Sequence, residues 1–254
     1  MLRSAKEMKG YSIKARDGHI GKVSDFMFDD TSWTIRYLVA DVGDWLVHNH
    51  VLIAPAALRT PGEREFPVDL TTEQVKNSPN IDTEKPVSRK EEEKLRLYYG
   101  WPVYWGPTGF AGPMPAAIPA PEIPGNSAEE QTELKKDTEG SGEDSHLRSL
   151  NELVGYNIEA SDTGIGHIDD CIIGSETWGI RYLIVDTGNW IPGRKVLVSP
   201  AWAESISWYE KVVTITHSSE EVRKSPEYNP ADPVNREYEE ILYDYYGRPK
   251  YWHQ

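Results

Sequence analysis

The sequence predicts a mainly β chain made of two small antiparallel β-barrels or sandwiches in tandem, each followed by short C-terminal helices. Three observations lead there. First, Leu2 to Ala56 aligns without gaps on Leu147 to Ala201 at an offset of 145, and the match resumes at an offset of 147 from Ser78 onward. Second, each copy breaks into short apolar segments, with turn residues every ~8–12 positions. Third, Gly106 to Ser145 runs from a Pro/Gly/Ala stretch into an acidic, Ser-containing stretch with little to bury. The predicted domains are therefore 1–105 and 146–254, with 106–145 as a flexible linker.

The elements follow in order. Tyr11 to Ala15 alternates apolar and polar residues, and Asp17-Gly18 supplies a hairpin turn. Ile20 to Phe28 reads as a second strand, Trp33 to Asp41 as a third and Trp45 to Ala54 as a fourth; Asp29 to Ser32 and Gly43-Asp44 are the turns between them. A further strand pair is expected near 57–59 and 66–70, and near 205–208 and 211–216 in the second copy. Thr71 to Gln74 and Ser218 to Glu221 have capping-box spacing and open short helices that stop at Ser-Pro. Ser88 to Glu91 opens a second helix running to about Tyr99, and Gly100 and Gly247 stand where a left-handed residue ends a helix.

The repeat is detailed. WTIRYL at 33–38 is WGIRYL at 178–183, and VLIAP at 51–55 is VLVSP at 196–200. YYGWPVYW at 98–105 is YYGRPKYW at 245–252. The pattern Gly10, Asp17-Gly18, Ile20-Gly21-Lys22-Val23, Asp25, Arg36 to Val39, Val51 to Ile53 and Pro55 resembles the PRC-barrel domain. That fold also forms the cytoplasmic part of the photosynthetic reaction centre H subunit and the C-terminal domain of a ribosome maturation factor. The resemblance covers both copies, and the aromatic tail is similar to that of stand-alone bacterial PRC-barrel proteins. It implies a small β-barrel that binds other proteins without catalysis of its own. The chain lacks the membrane helix of the first relative and the N-terminal barrel of the second, so neither specific function carries over.

Charge narrows the partners. The 254 residues carry a formal net charge of −14, divided as −1 in the first copy, −6 in the linker and −7 in the second. Such acidity argues against direct nucleic-acid binding, which needs basic residues to neutralise phosphates. No stretch approaches the roughly 20 apolar residues of a membrane span, and the N-terminus has no signal-peptide run. A single cysteine, Cys171, forms no internal disulfide and reads as a small core residue in a reducing, cytoplasmic protein.

Few residues suggest chemistry. His48 and His50 share one face of a strand, as metal ligands do, but the second copy has no equivalent, and an exposed segment is the plainer reading. Asp162 to Gly166 holds only the start of a dinucleotide fingerprint, and a hairpin turn explains it better. No cofactor is expected. Asp25 and Asp170 match as acids inside strands. Asp41 and Asp186 match likewise, and Arg36 and Arg181 at matching positions read as members of a partly buried Arg–Asp pair that sets strand register, with a carboxylate pair for acid–base work as the alternative. The candidate interaction residues are aromatic: Tyr98, Tyr99, Trp101, Tyr104 and Trp105, with Tyr245, Tyr246, Tyr251 and Trp252. They pack on their own or the sister barrel, or else they form a hot spot for a protein partner.

The expected function is thus a non-enzymatic interaction or scaffold module, stress- or assembly-related. Its two repeats would pack together, or the chain would homo-oligomerise. The alternatives are an accessory factor of a photosynthetic reaction-centre or other membrane complex, and a ribosome-assembly factor.

Overall fold

The structure, a computed structural model, describes residues 1–43, 50–82, 86–105, 147–188 and 193–253. The predicted linker, His48 and much of the predicted fourth strand lie outside them.

In the first half the order is β1 (Leu2–Ser4), α1 (Ala5–Met8), β2 (Ser12–Lys14), β3 (His19–Asp29), β4 (Thr34–Asp41), β5 (His50–Ile53), β6 (Glu65–Pro67), α2 (Thr72–Lys76) and α3 (Arg89–Tyr99). The second half repeats it: β7 (Leu147–Ser149), α4 (Leu150–Leu153), β8 (Asn157–Glu159), β9 (Gly164–Gly174), β10 (Ile180–Asp186), β11 (Lys195–Val198), β12 (Ala203–Ser207), β13 (Val212–Ile215), α5 (Ser219–Lys224) and α6 (Arg236–Tyr245). The strand pair expected in both copies forms as β12–β13 in the second; in the first it shrinks to β6 and an isolated bridge between Leu58 and Val68.

Two sheets result, in the orders β5-β4-β3-β2-β6 and β11-β10-β9-β8-β13-β12. The expectation of antiparallel barrels is corrected in two respects. Among the described strands each sheet is an open path without closure, and β2–β6 and β8–β13 pair in parallel. Hairpin turns dictate antiparallel neighbours only for consecutive strands. β6 returns to β2 after about 50 residues of chain, so its direction is free.

The strand missing from each sheet comes from the other half. β1 pairs with β9, Leu2 opposite Gly174 and Ser4 opposite Ile172, and β7 pairs with β3, Leu147 opposite Asp29 and Ser149 opposite Met27. Both receiving strands are 11 residues long, and β2 or β8 covers only their N-terminal part. The C-terminal part would otherwise present unpaired backbone groups at an edge.

A buried aspartate ties each exchange down. Ser149 caps α4 by accepting from the Glu152 N–H at 3.1 Å and donates its own hydroxyl to Asp25 on β3, which also accepts the Asn151 N–H at 3.1 Å. The mirror set is Ser4, accepting from Glu7 and donating to Asp170 on β9, with the Lys6 N–H 3.0 Å from Asp170. The first turn of each short helix is thus satisfied partly by the opposite half.

The turns before β4 and β10 meet at the same junction. Trp33 and Trp178 hold left-handed φ values of 52° and 56°, rare for bulky residues. Each carbonyl accepts a hydrogen bond across the junction, from Ile180 and Ile35, both at 2.7 Å. One core cluster runs through both halves, joining Phe26, Phe28 and Leu38 to Ile158, Cys171 and Leu183. The alternation of β4 sends Leu38 and Ala40 into that core. Tyr37 and Val39 face a second cluster under α3, built with Met27, Leu95 and Leu147. Gly21 and Gly166 let β4 and β10 approach closely: a Cβ on either would stand 2.0 Å from the Asp41 or Asp186 carbonyl oxygen.

Removing either aspartate leaves buried donors unsatisfied. D25A and D170A should each lower unfolding free energy by about 1–3 kcal/mol in urea titrations. Burial pushes both carboxyls above their ordinary range, against the opposing hydrogen bonds from Ser149 and Ser4. An acid raised in the folded state holds more protons folded than unfolded. Its contribution is therefore full below about pH 4 and is lost as pH rises through the raised value. D25N and D170N should flatten that part of the stability–pH curve; an unchanged slope would contradict the assignment.

Candidate functional site

The C-terminal aromatics of each half are clamped by a buried glutamate. α3 begins with the capping box of Ser88 and Glu91, and α6 with Asn235 accepting from the Tyr238 N–H. One turn into each helix stands an acid pointing at the sheet. Glu92, 1% exposed, accepts from Tyr37 at 3.3 Å, from Tyr104, and from Arg89 at 2.9 Å. Glu239, 2% exposed, accepts from Tyr182 at 2.7 Å, Tyr251 at 2.8 Å and Arg236 at 3.0 Å. A buried carboxylate is tolerable only with such partners. Burial still pushes Glu92 upward, with Tyr104, Arg89 and Tyr37 opposing, and raises the hydroxyls of Tyr37, Tyr104 and Tyr182. Tyr251 is raised to about 12, first by burial.

The aspartate near Arg36 is Asp29 of β3, not Asp41, and both structural arginines lie over tyrosine rings. Arg36 and Asp41 sit at opposite ends of β4. Arg36 lies 4.1 Å from the Tyr104 ring centroid and 3.9 Å from Asp29. Arg181 lies 4.3 Å from the Tyr251 centroid. Asp41 and Asp186 accept from the Gly43 and Gly188 N–H groups, which shapes the turns after their strands. The reason is geometric: residues five apart on a strand face opposite sides and cannot pair.

Of the nine candidate aromatics, seven are half-buried. Tyr99 stacks on Trp101 at 4.1 Å, and Tyr246 lies 4.6 Å from Trp202. Trp105 and Trp252 lie under Arg89 and Arg236, at 4.8 and 4.0 Å. Tyr98 and Tyr245 are the exposed pair, 39% and 41%, and their hydroxyls bond the Gln74 and Glu221 carbonyls. The tails thus lie on their own halves, with Tyr98 and Tyr245 outermost.

Of the metal candidates, His48 lies outside the described residues and His50 stands opposite Asp41 in the β4–β5 register. Among the described residues no three His, Cys, Asp or Glu side chains group as metal ligands do. Cys171 is buried in the core, and burial pushes its thiol well up. The Asp162 segment is a hairpin end whose carboxylate accepts from Ser219 at the start of α5.

A cleft of about 860 Å³ opens where the first half's tail meets the second half's β9–β10 turn. Arg36, Arg59 and Arg96 line it with Trp101, Tyr104, Trp105 and, from the second half, Trp178. Guanidinium donors and ring faces suit the binding of planar or anionic groups.

Residues 2–77 match the PRC-barrel domain, a family whose members serve generally as non-catalytic modules. No curated protein matches the chain. No helix among the described residues is long and apolar enough to cross a membrane.

The glutamate clamp escaped the sequence reading, yet its signal was there. Tyr37, Arg89, Glu92 and Tyr104 recur as Tyr182, Arg236, Glu239 and Tyr251 in the same two registers as the rest of the repeat. E239A should strand two tyrosine hydroxyls and lower stability by about 2–3 kcal/mol. The loss should appear in urea titrations, together with a weaker near-ultraviolet aromatic signal and faster proteolysis after Tyr246. An unaltered aromatic signal would show that the tail is held by stacking alone.

Proposed function

We propose that the protein is a non-catalytic interaction or scaffold module. Both halves, 1–105 and 146–254, are PRC-barrel-type domains held as an intramolecular pair, with 106–145 as the tether. The observation that carries this reading is the reciprocal strand exchange with its Ser–Asp clamps. It makes one body of two repeats and leaves a composite cleft at their boundary. The titratable groups support it too: Asp25, Asp170, Glu92 and Glu239 all bind parts of the same chain. The partner is a protein, met through the cleft and the aromatic tail of the first half. The single cysteine favours a reducing compartment.

In-cell photocrosslinking tests this. A benzoylphenylalanine at Pro102, on the cleft wall, should trap a discrete protein adduct, and one at Tyr209, 97% exposed on the second half, should not. An adduct at 209 alone would move the surface to the second half. Absence of protein adducts at both positions would overturn the scaffold reading.

A further inference from the structure

We infer that the cleft at the boundary of the two halves binds an extended acidic peptide, with Arg96 as its main anchor. This rests on the interaction-module reading and names the chemistry of the partner.

The argument begins with charge. The chain is strongly acidic, yet this cleft collects three guanidinium groups and the Met1 ammonium against the carboxylates of Asp69 and Glu176. Glu176 already pairs with the Met1 ammonium at 3.3 Å, and Asp69 with Arg59 at 2.5 Å. The remaining donors are in excess. Arg36 rests on the Tyr104 ring, gives one hydrogen bond to Ser32 at 3.2 Å and contacts Asp29 only at 3.9 Å; its Nε is buried, so only its terminal nitrogens can face a ligand. Arg96 makes no ion pair among the described residues, although it sits in a helix rich in glutamate. A guanidinium carries five donors, and that of Arg96 has no side-chain partner among the described residues.

The geometry favours a chain over a small ion. Arg36 is on β4, Arg59 follows the 3-10 turn after β5, and Arg96 is on α3, so the charges are spread over three elements instead of converging on one point. A single carboxylate would meet one of them; a peptide with several would meet all. Trp101, Tyr104 and Trp105 line the same cleft and give it apolar surface for the residues between the carboxylates.

The repeat supplies the control. At the position matching Arg96 the second half carries Tyr243, which is 5% exposed with its ring 5.2 Å from Trp252 and 5.7 Å from Trp202. That half fills with an aromatic ring the place where the first half presents a cation. R96Y therefore places in the first half a residue its sibling helix already accommodates.

The test is calorimetric titration of the full chain with an acetylated, amidated decapeptide of alternating Pro and Glu, with Trp fluorescence as a second readout. Saturable binding is expected, weakened by added salt. Binding should fall about tenfold or more for the Pro–Gln peptide and for R96Y, with R96K intermediate. Y243F, in the second half, should bind as the parent does and controls for folding. Equal binding of the Pro–Gln peptide, or an unaffected R96Y, would overturn the inference. So would equally tight binding of acetyl-glutamate amide, which would point to a small carboxylate, or a crosslink from position 102 to residues 106–145 of the same chain. A protein trapped at position 102 with no affinity for the acidic peptide would sink this inference and leave the module reading standing.

Discussion

The structure depends on the length mismatch between β3 or β9 and the hairpin partner each receives from its own half. An 11-residue strand flanked on one side by a 3-residue strand leaves its C-terminal end unpaired on that side. The chain covers both open ends with the first strand of the opposite repeat. Other features at the junction follow from that. Ser4 and Ser149 are drawn to the other half's Asp170 and Asp25, and the turns of Trp33 and Trp178 face each other across the same seam. An unpaired edge would be a site for association with other chains; here the repeat satisfies itself.

A second, independent device holds the tails. Glu92 and Glu239 each gather two tyrosine hydroxyls and an arginine, so the last aromatic residues of each half fold back over the sheet that contains Tyr37 or Tyr182. The carboxylate brings little by itself after desolvation, but it specifies which rings lie where. The arginines above the rings, Arg36 and Arg181, extend that order toward the seam.

The two halves share these devices and differ in what they present. Trp101 and Arg96 of the first half correspond to Arg248 and Tyr243 of the second. Arg248 reaches Thr216 and His217, and Tyr243 is buried among its neighbours. Between the two halves a ring and a cation thus trade places at the same two positions.

Legible along the chain were the order of the hairpin strands from Tyr11 onward, the capping boxes at Thr71, Ser88 and Ser218, the left-handed Gly100, and the internal repeat; β1, α1, β7 and α4 were not. The legible features are local: each depends on residues within a few positions, or on similarity along the chain. Tertiary structure decided which strands pair across the repeat, which acids are buried, and where the arginines point. Leu2-Arg3-Ser4 is legible in the sequence as the start of the repeat, but not as a strand, because its partner is β9 of the other half. Asp25 reads from the sequence only as an acid inside a strand; its partner, Ser149, comes from 124 residues away. Arg36 lies on the same strand as Asp41, yet its guanidinium rests on Tyr104, 68 positions further on. Pairing of this kind depends on long-range geometry and desolvation, which no window of sequence contains.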